Sequence, residues 1–481
     1  MRELNVAGGR DERTRWRAAA HAYALLVAAG VAYCVARMPI QVSDCLGNLL
    51  QIQDVPLARV VADQMSARAY MRPLLWAQIK VVSDLSGGHY FAAFKTVHAL
   101  QLFTLAVLFV RPLRIRTSLD FAPLPLAMAV LVGLHTFSGT VREAFPINTF
   151  LTIVLFCVAA VNLSVSRPRA WIDAAAVLLL TFAVLTLESG VLVFVCLAAA
   201  WGVGFRGVSR TGIFACAAVI GVYLLARFAV LDVGAPGLTE RPSGFGFEIL
   251  EPSALAARFG DNPLPFYAYN VAASLLSLLF SEPRAGVFWA VRSAATGGTL
   301  PTWLVLNLVS SALATALIGW YVLVRAREVW HDGGSERDGL VAVAVAVVAA
   351  NAVISFAYTK DVILSPAGVF YATAVYVAAR ELVIRTAALS NVPLRSAVAV
   401  LAVTGAMAWA VRDAAIHLNL RQWAFRERNQ WAHVSEWLDE QGIRVTTPSQ
   451  RALVAALQAD ALSRPVPAPA RSRWIEWFDL N

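Results

Sequence analysis

An all-α polytopic membrane bundle of about eleven spans, with a cytoplasmic N-terminus, is the fold the sequence predicts. Two observations carry the prediction. Hydrophobic residues make up 58% of the 481-residue chain and charged residues only 15%, against about 45–50% and 25% in soluble domains. The apolar residues also fall in blocks of roughly 16–24, the length that crosses a bilayer. This composition excludes an ordinary cytosolic enzyme. It also excludes a disordered chain, which needs low hydrophobicity. The alternation of a membrane barrel strand is not found.

Expected spans lie at 18–37, 89–110, 120–137, 149–164, 171–187, 190–205, 211–231, 301–324, 339–358, 362–384 and 396–411. The first follows Arg2, Arg10, Arg13, Arg15 and Arg17. No small-x-small cleavage site follows it, so it reads as an uncleaved signal-anchor helix. The 171–205 pair is a hairpin broken at Leu187-Glu188-Ser189-Gly190. Basic residues 111–116, 167–169, 206–210, 325–337 and 385–395 fall on the side of the N-terminus, whereas the short connections opposite hold only Arg142 and Lys360. The positive-inside rule then places the N-terminus in the cytoplasm. The odd span count places the C-terminus outside.

On this topology residues 1–411 form a transmembrane domain with outer loops 38–88, 138–148 and 232–300, and residues 412–481 form an outer amphipathic tail. Residues 74–86 and 267–280 are too short to span; the first reads as a helix in the membrane surface, the second as re-entrant or packed on the bundle. Trp423, Trp431 and Trp437 read as an interface belt, and Pro465, Pro467 and Pro469 as an extended linker. The net charge is +9, but the basic residues mostly flank apolar spans, so nucleic acid is not an expected partner. Four of the five cysteines lie inside apolar spans, and neither a CxxC pair nor a Cys/His cluster occurs. The inner connections are too short for a catalytic domain, and no phosphate-binding glycine motif is present.

A charge at the lipid boundary is costly unless paired or facing water. The rim charges are therefore the candidate chemistry: Asp44, Arg72, His135, Arg142, Glu143, Glu188, Lys360 and Asp361, with His98 inside the second span. A carboxylate can accept the proton of an attacking hydroxyl. Arginine and lysine can hold a phosphate. Plainer readings stand beside these. Asp44 is a solvated charge or helix cap, Glu188 a polar tip, Arg72 a headgroup anchor, His98 a core histidine, and Lys360-Asp361 a surface pair.

The order of these segments resembles the GT-C membrane glycosyltransferases that use polyprenyl-phosphate sugars, among them protein O-mannosyltransferases and bacterial envelope sugar transferases. The resemblance covers roughly residues 18–385 and rests on five weak motifs in shared order. Asp44 follows the first span, where the family carries its base. Arg72-Pro73-Leu74 matches an Arg-Pro-Leu segment. His135 and Glu143 match a His…Glu segment at a longer interval than the family's. Leu187-Glu188 stands for a Lys-Glu turn, and Lys360-Asp361 with Pro366 for an Arg-Tyr-x-x-x-Pro segment.

The resemblance implies an inverting transfer of sugar to a lipid, glycan or protein hydroxyl at the outer face of a bacterial inner membrane. Asp44 and Glu143 would be catalytic; Arg72, His135, Arg142, Glu188 and Lys360 would bind substrate. A divalent metal at Asp44 and Glu143 stays open, and no other cofactor is implied. Two other classes compete. A lipid or solute transporter would use the rim charges as a gate, and would show polar breaks near the bilayer midplane. A non-enzymatic envelope protein would show rim carboxylates with no common pocket.

Overall fold

The structure is a computed structural model that describes residues 10–65, 71–142, 149–230, 252–260, 262, 264–280, 287–332 and 334–464. Among them it is helical, with no strand. The principal helices are α1 (Arg10–Arg37), α2 (Pro73–Leu85), α3 (Tyr90–Val110), α4 (Leu124–Gly133), α5 (His135–Arg142), α6 (Thr149–Ser164), α7 (Ala170–Thr186), α8 (Leu192–Gly202), α9 (Arg210–Leu225), α10 (Leu264–Phe280), α11 (Thr302–Asp332), α12 (Glu336–Ile354), α13 (Ser365–Ala387), α14 (Val392–Ala432) and α15 (Pro448–Ser463).

Seven helices among the described residues are long and apolar enough to cross a membrane: α1, α3, α9, α11, α12, α13 and α14. A bent pair, Ser118–Gly133 with His135–Val141, makes an eighth if counted as one span. Eleven were expected, and the difference has a physical reason. The expected spans at 149–164, 171–187 and 190–205 are α6, α7 and α8, of 16, 17 and 11 residues. At 1.5 Å per residue the longest reaches about 26 Å, short of a hydrocarbon core of about 30 Å. Protein covers much of their surface: Cys157, Ala160, Leu180, Val193 and Cys196 share one core with Val343 and Phe370.

Helix α13 is the centre of the bundle. Its apolar window is 94% buried, whereas that of α14 is 6% buried. Small residues permit the close approaches. A Cβ on Gly368 of α13 would lie 2.4 Å from Thr136 Oγ1, and one on Gly139 would lie 2.6 Å from Val362 Cβ.

One end of the bundle is laced by ion pairs between segments far apart in the chain. Asp120 accepts from Arg380 and from Arg337, the latter at 3.4 Å. Its other oxygen completes a capping box with Thr117. Asp338 takes Arg325 at 2.7 Å and the Tyr321 hydroxyl at 2.6 Å, while capping its own helix through Ser335. The same carboxylates thus start helices and bind their neighbours.

The opposite end carries a second apolar unit. Ile40, Leu46, Leu49, Ile79 and Phe94 pack with Trp431, Leu438, Leu453 and Leu457. Trp431 is fully buried and donates from Nε1 to the Ile40 carbonyl at 2.6 Å. The expected interface belt is therefore corrected at Trp431, which is a core residue shared by the first loop and the tail. Trp437 packs against that core and Trp423 against the main one. The expected boundary at 411/412 falls inside α14, which continues unbroken to Ala432. Residues 465–481, with the proline linker, lie outside the described residues.

Asp54 clasps the tail by accepting from Thr447 Oγ1 at 2.7 Å and from Ser449 Oγ. These bonds favour the ionised form and hold the Asp54 carboxyl below its ordinary range. A depressed folded-state value means that the clasp contributes fully above the unfolded carboxylate value of about 3.9 and is lost as pH falls through the folded one. Limited proteolysis of α15 should accelerate below that range, and Asp54→Asn should remove the acid dependence. At the other end, Asp120→Ala leaves Arg380 and Arg337 without their anion. A loss of about 3 kcal/mol is expected, the low end for a broken buried pair because both arginines keep some solvent contact. Thermal unfolding in detergent measures it.

Candidate functional site

Arg72 and Glu188 stand 116 residues apart and meet side by side. Arg72 precedes Pro73, whose ring suits the first turn of α2 and fixes where that helix starts. Glu188 opens a short 3₁₀ turn, Glu188–Val191, after Leu187 ends α7 in an extended conformation. The turn packs on α7 so tightly that a Cβ on Gly190 would lie 2.3 Å from the Ala183 carbonyl. Both carboxylate oxygens accept from Arg72: Nε at 3.0 and 3.1 Å, and Nη2 at 2.6 Å. This is the bidentate fork that guanidinium geometry favours.

A second arginine joins them. Arg227 follows α9 on a π-helical turn, Ala226–Val230. Its Nη1 lies 3.6 Å from Glu188 Oε1 and 2.8 Å from the Tyr223 hydroxyl. The side chain is 7% exposed, and its Nε is buried without a hydrogen-bond partner. Glu188 thus faces two arginines, Arg72 and Arg227.

A second polar group forms where α4 and α5 break. Leu134 is extended at the end of α4, and His135 opens α5 at a 59° bend. His135 Nε2 lies 3.1 Å from Ser277 Oγ on α10 and 3.7 Å from Asp361 Oδ1. Asp361 starts a 3₁₀ turn, Asp361–Leu364, ahead of α13. The break is held from α13: Ser365 Oγ donates to the Thr136 carbonyl at 2.6 Å. Lys360 is exposed beside Asp361, with its ammonium 5.5 Å from the Tyr358 ring centre.

The expected site residues therefore sort into groups. Arg72 joins Glu188. His135 joins Asp361, with Lys360 adjacent in sequence. His98 bonds the Thr140 carbonyl at 2.9 Å in the interior, as the core-histidine reading had it. Asp44 falls on the short helix Val42–Leu46, but its side chain, that of Arg142, and the whole of Glu143 lie outside the described residues. The expectation of a metal at Asp44 and Glu143 falls on those undescribed groups. Among the described residues no three histidine, cysteine, aspartate or glutamate side chains gather as a metal would require.

Arg227 and Arg412 went unnoticed in the sequence. A readable signal existed for Arg227, an arginine inside an apolar run. No family model, curated protein or solved structure matches the chain.

Glu188→Gln removes the counter-charge of a buried Arg227 and of Arg72. It should lower stability by about 2 kcal/mol, the range for stranding a buried donor, read as a fall in Tm. Arg227→Met in the same background should recover part of that loss. No recovery would show that Arg227 does not depend on Glu188.

Proposed function

We propose that the chain is a multi-pass membrane glycosyltransferase that moves a sugar from a polyprenyl-phosphate donor to an acceptor hydroxyl at the non-cytoplasmic face. One observation carries the reading. Arg72-Pro73-Leu74 and Leu187-Glu188, two segments of the sequence resemblance, supply the two halves of one bidentate pair. The meeting of His135 with Asp361 supports it in the same way. On this reading the eleven apolar segments all cross, α6 to α8 where the bilayer is locally thinned. The N-terminus is cytoplasmic, the location is a bacterial inner membrane, and the acceptor is a lipid, glycan or protein.

The mechanism follows from the charges. The acceptor oxygen attacks the anomeric carbon while its proton passes to the Asp44 carboxylate. The bond from that carbon to the phosphate oxygen breaks, and the polyprenyl phosphate leaves with the electron pair. Arg72, Arg227 and Lys360 offer positive charge to the phosphate as its own charge grows. Displacement from the opposite side inverts the anomeric centre. Glu188 orients the arginines and tempers their charge, and Glu143 orients the acceptor.

Membranes containing the protein, given a radiolabelled polyprenyl-phosphate sugar, should label an extractable acceptor. Asp44→Asn should abolish transfer at unchanged protein level, and Arg72→Ala should reduce it about a hundredfold, the scale for losing one charge-stabilising donor. Undiminished transfer by Asp44→Asn removes that residue from the mechanism. No transfer by the unaltered protein sinks the reading.

The helix break at Leu134 favours a second reading, a lipid transporter, because transporters build sites at interrupted helices. Movement of a labelled lipid across proteoliposomes without sugar transfer would select it.

A further inference from the structure

Arg412 lies midway along α14, a helix apolar enough to cross a membrane, yet its side chain is almost wholly buried. Its Nη1 donates to Ser310 Oγ at 2.7 Å and to Ser311 Oγ at 2.9 Å on α11. Below it, the Trp409 ring centre is 3.9 Å from the guanidinium carbon. None of these partners carries a negative charge. Among the described residues no carboxylate pairs with Arg412; its neighbour Asp413 pairs with His417 at 3.1 Å. A guanidinium does not shed its proton in a protein. Burying an ion without counter-charge costs several kcal/mol, which hydroxyl dipoles and a ring face offset only in part.

The surroundings indicate what completes it. The Trp409 and Asp413 backbones approach Gly133, the last residue of α4 before the break, which sets Arg412 at the level of His135. The Tyr371 hydroxyl of α13 donates to the carbonyl of Ser311, one of the two serines on Arg412, at 3.2 Å. Thr136, next to His135, carries a buried hydroxyl with no partner, as does Ser274, one turn from Ser277. A cation that no anion among the described residues meets thus stands near a helix break, with two serine hydroxyls on its guanidinium. That is the chemistry of an oxyanion ligand with several acceptor oxygens.

We propose that Arg412, with Ser310 and Ser311, binds a phosphate group inside the bundle. Both a lipid phosphate and free inorganic phosphate have this chemistry. The probes below separate the two sources. The site does not rest on sugar transfer, since a transporter needs it equally.

The test is thermal unfolding of the full-length protein in detergent with three probes: a polyprenyl phosphate, the matching phosphate-free polyprenol, and inorganic phosphate. Polyprenyl phosphate should raise Tm and the polyprenol should not. Arg412→Gln should lose the shift and Arg412→Lys should keep part of it. Ser310→Ala with Ser311→Ala keeps the cation and should weaken binding about tenfold, one to two neutral hydrogen bonds' worth; this pair decides the matter if Arg412→Gln does not fold. A shift from inorganic phosphate that polyprenyl phosphate does not reproduce, and that the serine pair weakens, confirms the site and assigns it to the free ion. The proposal is overturned if no phosphate species shifts Tm, if the polyprenol shifts it equally, or if the serine pair leaves affinity unchanged. Phosphate binding without sugar transfer would reject only the glycosyltransferase reading.

Discussion

Ionised groups in an apolar bundle must find a partner, and that constraint organises this molecule. Helices satisfy their own backbones, so the question falls on the side chains. At one end the answer is complete. Asp120 draws in Arg337 and Arg380 from distant helices, and Asp338 draws in Arg325. At the other end the answer is of two kinds. Glu188 faces two arginines, and among the described residues Arg412 faces neutral dipoles alone. The first end is built like a clamp. The second holds, at Arg412, a buried cation that no carboxylate among the described residues meets, and a charged ligand can complete it.

The helices were legible because apolar blocks and caps agree. Thr117 with Asp120 and Ser335 with Asp338 mark starts that the hydrophobic pattern also marks. Crossing was less legible. α6 to α8 are as apolar as the longer helices, and hydropathy does not distinguish lipid from protein as the apolar neighbour. The same ambiguity misplaced Trp431. A tryptophan among alternating charges suits a headgroup layer and suits a small water-facing core, and only the arrival of residues 40–50 against it decides.

The site was legible where a charge stood against its context. Arg72 before a proline and Glu188 at a turn both stood out, and they meet. Arg227 interrupts the apolar run from 211 to 231, a signal that the length of the run masks. Arg412 lies one residue beyond the expected end of another span, where a flanking arginine is the commonplace explanation. What separates these two from ordinary flanking charges is three-dimensional: a tyrosine hydroxyl for one, and a pair of serines from a helix about a hundred residues away for the other.

Helix α14 has 41 residues and is about 60 Å long, twice the thickness of a hydrocarbon core. Its tryptophans at 409 and 431 are seated in different places, one against α4 and one beneath the Ile40 carbonyl. A single residue inserted between them would swing everything beyond it by about 100° around the axis. The indole at 431 would then face away from its carbonyl while apolarity along the rod barely changed. The angular phase of this rod, more than its greasiness, is what couples the buried bundle to the cap above it.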